Sequence, residues 1–142
     1  MKIKTKAQQK DLTHELHIKA REARENAHAP YSKRLVGAAI RTSTGDVFSG
    51  CNVENASYGG TVCAERVAIW KAVSELGSIE ISELVVITDA KEAWPPCGFC
   101  RQVLAEFANA KTIIHTGDLK KIQKTFSFKE LLPESFNPSH LK

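Results

Sequence analysis

Cys97 and Cys100 form a C-x-x-C pair in the run PCGFC, and Cys63 stands 34 residues before the first of them. Glu65 and Arg66 follow Cys63 in the run CAER. Thiolates are ligands for zinc, and a dithiol at this spacing serves zinc sites and redox centres alike. A redox motif usually acts without a third cysteine, and a zinc ribbon shows a second C-x-x-C, which this sequence lacks. Three thiolates from Cys63, Cys97 and Cys100 would leave the fourth zinc position open, as a catalytic centre requires. The sum of charges, about −1, weakens the metal's power to acidify water. Arg66 or Arg101 could offset it by donating to a sulfur, and Arg66, beside Cys63, is preferred. Glu65 is then the proton carrier, in a role that contributes about 10²–10⁴-fold. Taken alone, a glutamate in a first helical turn would only complement the helix dipole. Cys51, among apolar neighbours, reads as a small buried hydrophobe. The alternative makes it a fourth ligand, closing a structural site with no catalysis.

These residues need elements that bring them together. Leu12, Leu16, Ala20, Ala23 and Ala27 recur at helical steps, which predicts a helix over 7–27. Pro30 ends it. Segments 35–42 and 46–53 read as two strands joined by turn residues. A helix over 63–76 stops at Gly77, with Val67, Ile69, Trp70 and Val73 as the face that anchors it. ELVVITD (83–89) predicts a central strand, 98–109 a helix, and 112–116 and 124–128 two more strands, with a short helical turn at the start of 129–136. The result is an α/β sheet with helices packed on it. About seven residues separate the last two strands, too few for a parallel crossover, so they must be antiparallel. Cys63 and Cys97 both fall at helix starts, where free N–H groups and the dipole favour thiolates.

Composition narrows the function classes. The 142 residues, 42% hydrophobic and 25% charged, suit one globular domain spanning 1–142. No run approaches the ~20 apolar residues of a membrane helix, and MKIKTKAQQK has no apolar core for a signal peptide, so a cytoplasmic protein is expected. In that compartment four cysteines point to metal or catalysis rather than disulfides. Net charge is +4. Lysines cluster early (Lys2, Lys4, Lys6, Lys10) and late (Lys111, Lys120, Lys121, Lys124, Lys129), and read as solvated faces rather than a nucleic-acid surface. His14 and His17 read as surface residues. Ser32, Ser57 and Ser127 have no G-x-S-x-G context, and no phosphate-binding glycine motif occurs.

The C-x-E and P-C-x-x-C pair is the all-cysteine form of the zinc deaminase signature. With APYSK, VGAA, GCNVENASY, CAERVAIWKAV, PCGFCRQV and ELLPESF in order, the chain resembles the small, homotetrameric cytidine deaminases over about residues 10–141. The resemblance implies a three-layer α/β/α cytidine-deaminase-like fold with a five-stranded mixed sheet. It implies one zinc per chain on Cys63, Cys97 and Cys100, Glu65 as proton shuttle, and Arg66 tempering the thiolate charge. It places Asn52 and Glu54 on the ribose hydroxyls and the Ala64 backbone on the pyrimidine edge. Tyr58 and Phe136 would help build the pocket, Phe136 reaching in from a neighbouring subunit. The implied activity is hydrolysis of cytidine and deoxycytidine to the uridines and ammonia in pyrimidine salvage, with no nucleic-acid or membrane partner. One position departs from the pattern: Arg34 stands where the family usually has an aromatic residue. It could stack on the pyrimidine, reach an anionic group or point to solvent. A relative acting on another aminopyrimidine nucleoside, such as blasticidin S, is therefore a competing expectation.

Overall fold

A computed structural model describes residues 5–142; Lys2 and Lys4 of the first lysine cluster lie outside them. Helix α1 (Lys6–Arg24) opens with Thr5 and Gln8 in a reciprocal capping box. Leu16 and Ala20 are its buried apolar residues. It ends three residues before the predicted boundary because the following chain is captured elsewhere: the His28 N–H bonds the Asn52 carbonyl, and His28 bridges Val53.

Strands β1 (Gly37–Thr42), β2 (Val47–Cys51), β3 (Ile81–Ile87), β4 (Ala108–Gly117) and β5 (Ile122–Ser127) form one sheet in the order β2-β1-β3-β4-β5. β1 is antiparallel to both β2 and β3, β3 and β4 are parallel, and β4 and β5 are antiparallel, as their short connection requires. β3 is central and buried on both faces. Helices α2 (Ala64–Leu76), α3 (Gly98–Phe107) and the short α4 (Phe128–Leu131) follow in sequence. One core cluster, with Ile69, Ala72, Leu84, Leu104 and Phe128, includes residues of these helices and the sheet; a second joins Leu16 and Ala20 of α1 to Ala39, Val85 and Ile87. The layers are thus α1, sheet, and α2–α4.

The strand directions decide where the chemistry can sit. β2 and β3 both run opposite to β1, so their C-terminal ends leave the sheet at one edge. The chain after β2 leads into α2 and the chain after β3 into α3, so both helix N-termini begin at that edge.

The α2 contact differs from the one its sequence suggests. Ala64, Ala68, Ile69 and Ala72 are its buried apolar residues, while Trp70 is exposed and Val67 and Val73 are half-buried. Small side chains allow a close approach: a Cβ on Gly50 of β2 would fall 2.7 Å from the Ala68 nitrogen and 2.8 Å from the Ala64 carbonyl oxygen. No room remains there for an indole. α2 does end at Gly77, whose φ of 77° suits a residue without a side chain. His17 also corrects the sequence reading. It is only 4% exposed, and its Nε2 bonds the Asp118 carbonyl oxygen at 2.9 Å.

Candidate active site

Cys63 and Cys97 are the N-cap residues of α2 and α3, both with extended backbone. Cys100 lies one turn into α3 and is fully buried. The three sulfurs lie within 4.8 Å of one another, with Cys63 and Cys97 at 3.9 Å. Two thiolates at ~2.3 Å from a tetrahedral zinc stand about 3.8 Å apart, so the spacing fits that metal. Cys51 is half-buried and outside the cluster, and burial raises its thiol pKa. The four-cysteine alternative is not formed.

Electrostatics at the cluster follow from the helix starts and from Arg66. α2 has no side-chain cap, so the Cys63 sulfur does not take up its first-turn N–H groups. In α3 the Cys97 sulfur itself accepts from the Cys100 N–H at 3.5 Å. A hydrogen bond from Cys100, reinforced by Arg66, pulls the Cys63 thiol down to about 5 against the effect of burial. Cys100 is pushed up by its hydrogen bond with Cys63, by burial and by the negative charges around it. The first thiolate forms easily and opposes the next; a dication held among them removes that opposition. Arg66 is buried, and its Nη2 donates to the Cys63 sulfur at 3.5 Å and to the Thr61 carbonyl at 3.4 Å. Arg101, the other candidate donor, instead bonds the carbonyls of Pro96 and Leu131.

Glu65 is only 4% exposed, two residues from Cys63. Burial, reinforced by the Cys63 charge, raises its carboxyl to about 7. A carboxyl poised there can both accept and give a proton near neutrality. The arrangement sets a buried, protonatable acid beside a cysteine cluster at two helix mouths.

Comparison with known proteins agrees with this arrangement. The model of the cytidine and deoxycytidylate deaminase zinc-binding region matches residues 10–116. The chain belongs to the cytidine and deoxycytidylate deaminase family. It is 47% identical to a cytidine deaminase of Halalkalibacterium halodurans over 81% of this chain and 86% of that protein. It is 43% identical to a probable cytidine deaminase of Dictyostelium discoideum over 86% of this chain and 82% of that one. Among solved structures, a cytidine deaminase from Burkholderia pseudomallei superposes with a TM-score of 0.81 at 40% identity, covering 87% of this chain and 98% of its own.

The remaining candidate residues of this deaminase-family chain fall into two groups. Asn52 and Glu54 sit on the segment after β2 and brace the loop before β1. Asn52 is buried; its Oδ1 accepts from the Val36 N–H and its Nδ2 donates to the Arg34 carbonyl, each at 2.8 Å. An amide has two lone pairs and two N–H groups, so one of each remains for a ligand. Glu54 is half-buried and accepts from the N–H groups of Tyr31 and Ser32 and from the Ser32 hydroxyl. The Ser32 hydroxyl bond leads in lowering its pKa, so the carboxylate is charged. Glu54, Tyr31, Ser32, Tyr58 and Thr61 line a cavity of about 410 Å³. Ala64 is fully buried at the first position of α2.

The aromatic positions are open. Tyr58 is 77% exposed and meets Tyr31 edge-on, with ring centroids 6.0 Å apart. Phe136 is 57% exposed and stacks on His140, while its carbonyl accepts from Gln102. Arg34 is exposed, and its guanidinium lies 6.0 Å from the Trp94 ring centroid. Sequence reasoning did not single out Trp94, nor Phe99 inside the C-x-x-C, whose ring centroid is 4.2 Å from the Arg66 guanidinium. A bulky aromatic between two ligand cysteines was the available signal.

Proposed function

We propose that this chain hydrolyses cytidine and deoxycytidine at C4, releasing ammonia and the corresponding uridine, in the cytoplasm and in pyrimidine salvage. The observation that carries the reading is Glu65, buried beside three cysteine sulfurs that fit zinc. Cys63, Cys97 and Cys100 would hold one zinc per chain, which supplies the Lewis acidity that activates water. Glu65 takes a proton from that water and delivers one to ring N3 as the C4–O bond forms. It then passes the second proton to the amino group, and the C4–N bond breaks. Arg66 limits the charge that the thiolates impose on the centre. Asn52 and Glu54, with acceptor and donor atoms remaining, take the ribose hydroxyls. The first-turn backbone at Ala64 contacts the pyrimidine edge, and Tyr58 closes the ribose side.

Exposed Trp70, Phe99 and Phe136 support assembly into a homotetramer with sites at the interfaces, Phe136 entering a neighbour's cleft. Light scattering that gives a monomer would remove that part of the reading. Arg34 favours a second reading, in which a related aminopyrimidine nucleoside such as blasticidin S is the preferred substrate. Its guanidinium has no carboxylate partner among the described residues. The test is a deamination assay on cytidine, deoxycytidine, cytidine monophosphate and blasticidin S with wild type and Arg34→Phe. Turnover of cytidine and deoxycytidine with about one zinc per chain supports the main reading. Exclusive turnover of blasticidin S supports the second, and no turnover of any substrate by zinc-loaded protein overturns both.

A further inference from the structure

Two lysines from each of the clusters, separate in sequence, meet in the fold on the face opposite α2 and α3. Lys6 and Lys10 of α1 and Lys120 and Lys121 of the β4–β5 turn line one cavity of about 520 Å³. His14, His17 and His115 line it too, and Ile122 and Thr125 add apolar and hydroxyl surface. A cavity of this size is in the range that takes small molecules.

Two observations distinguish it from a solvated lysine face. First, the turn is anchored. The Asp118 carboxylate accepts from the N–H groups of Lys120 and Lys121 at 2.7 and 2.8 Å and from Gln123 at 2.8 Å. Its carbonyl accepts from the buried His17, which fixes Nε2 as the protonated nitrogen and ties the turn to α1. Second, the nearby carboxylates are already committed. Glu83 is held by His115 at 3.0 Å, by the Thr13 hydroxyl and by Arg41 at 3.8 Å. None of the four lysines forms an ion pair among the described residues. Four lysines thus line one cavity with no ion pair of their own, on a frame already ordered by the Asp118 bonds.

We propose that this cavity, between α1 and the β4–β5 turn, is a binding site for a small ligand carrying a di- or triphosphate group. The lysines meet the phosphate oxygens. The site is separate from the cysteine cluster and does not depend on the deaminase reading.

Calorimetric titration of the zinc-loaded protein with inorganic tripolyphosphate tests it, with adenosine triphosphate and a single-stranded thymidine oligonucleotide as separate arms. Zinc content is measured before and after, because polyphosphates chelate metals. Binding of tripolyphosphate that falls about tenfold in Lys10→Gln/Lys120→Gln, but not in Lys111→Gln/Lys129→Gln, supports the site. Tighter binding of adenosine triphosphate than of tripolyphosphate would assign Ile122 and Thr125 to the organic part of the ligand. Equal weakening in both double variants, no tripolyphosphate binding at millimolar concentration, or binding of the oligonucleotide alone overturns it.

Discussion

Glu65→Gln should produce a protein that is more stable and far less active. The amide keeps the shape of the carboxyl but cannot ionise. Glu65 is 4% exposed, and burial is the leading cause that raises its carboxyl from 4.5 to about 7. The direction of the linkage follows from the two states. Between those values the unfolded chain has released the proton while the native chain still holds it, so stability falls as pH rises. Below 4.5 neither state is ionised and the cost vanishes; above about 7 it is complete. That cost is about 3 kcal/mol at pH 8 and under about 1 kcal/mol at pH 5. The glutamine variant escapes it, so its Tm should rise by roughly 6–12 °C at pH 8 and by only about 2–4 °C at pH 5. Zinc loading should shrink the gain, because the cation offsets the Cys63 charge that acts on the carboxyl. Turnover of cytidine should fall about 10²–10⁴-fold with zinc retained. Paired melts at the two pH values, with and without zinc, and a spectrophotometric deamination assay measure all of this. A variant less stable than wild type at pH 8 would refute the burial argument. One that keeps turnover within about threefold would refute the proton role.

Three other substitutions probe the frame. Gly50→Ala puts a methyl against the backbone of α2, the helix that begins at Cys63, at 2.7–2.8 Å. It should cost about 1–3 kcal/mol and lower the bound zinc, and an unchanged melt with full zinc would show that α2 can move freely. Arg66→Gln removes the donor to the Cys63 sulfur and the Thr61 carbonyl. Chelator competition should then show zinc held about 10–100-fold more weakly, and unchanged retention would leave Arg66 without its electrostatic role. Cys51→Ser should keep its full zinc by metal analysis, since Cys51 lies outside the sulfur cluster; release of zinc would restore the four-cysteine reading.

Much of the frame is local and therefore legible along the chain. Apolar runs, turn residues, helical steps, Pro30 and Gly77 mark most elements to within a few residues because backbone preference acts locally. The errors have tertiary causes. α1 stops early because His28 pairs with the segment after β2. β4 begins at Ala108, directly after α3, because pairing with β3 captures residues of weak strand preference. Trp70 looks like an anchor by composition, yet the close approach of Ala68 to Gly50 excludes it from the contact.

The sequence by itself determined the donor set: three cysteines, a glutamate two residues from one of them, and helix starts under two of the cysteines. Those are matters of residue type and short-range spacing. Only the tertiary structure decided that Cys63 and Cys97 meet, because that depends on β2 and β3 running the same way on either side of β1. Only it excluded Cys51, gave Asn52 its bracing contacts, set Arg34 against Trp94 and brought Lys6 and Lys10 of α1 to one cavity with Lys120 and Lys121 of the β4–β5 turn. Chemical type is carried residue by residue. Burial, and with it the raised carboxyl of Glu65, exists only once distant segments have excluded water together.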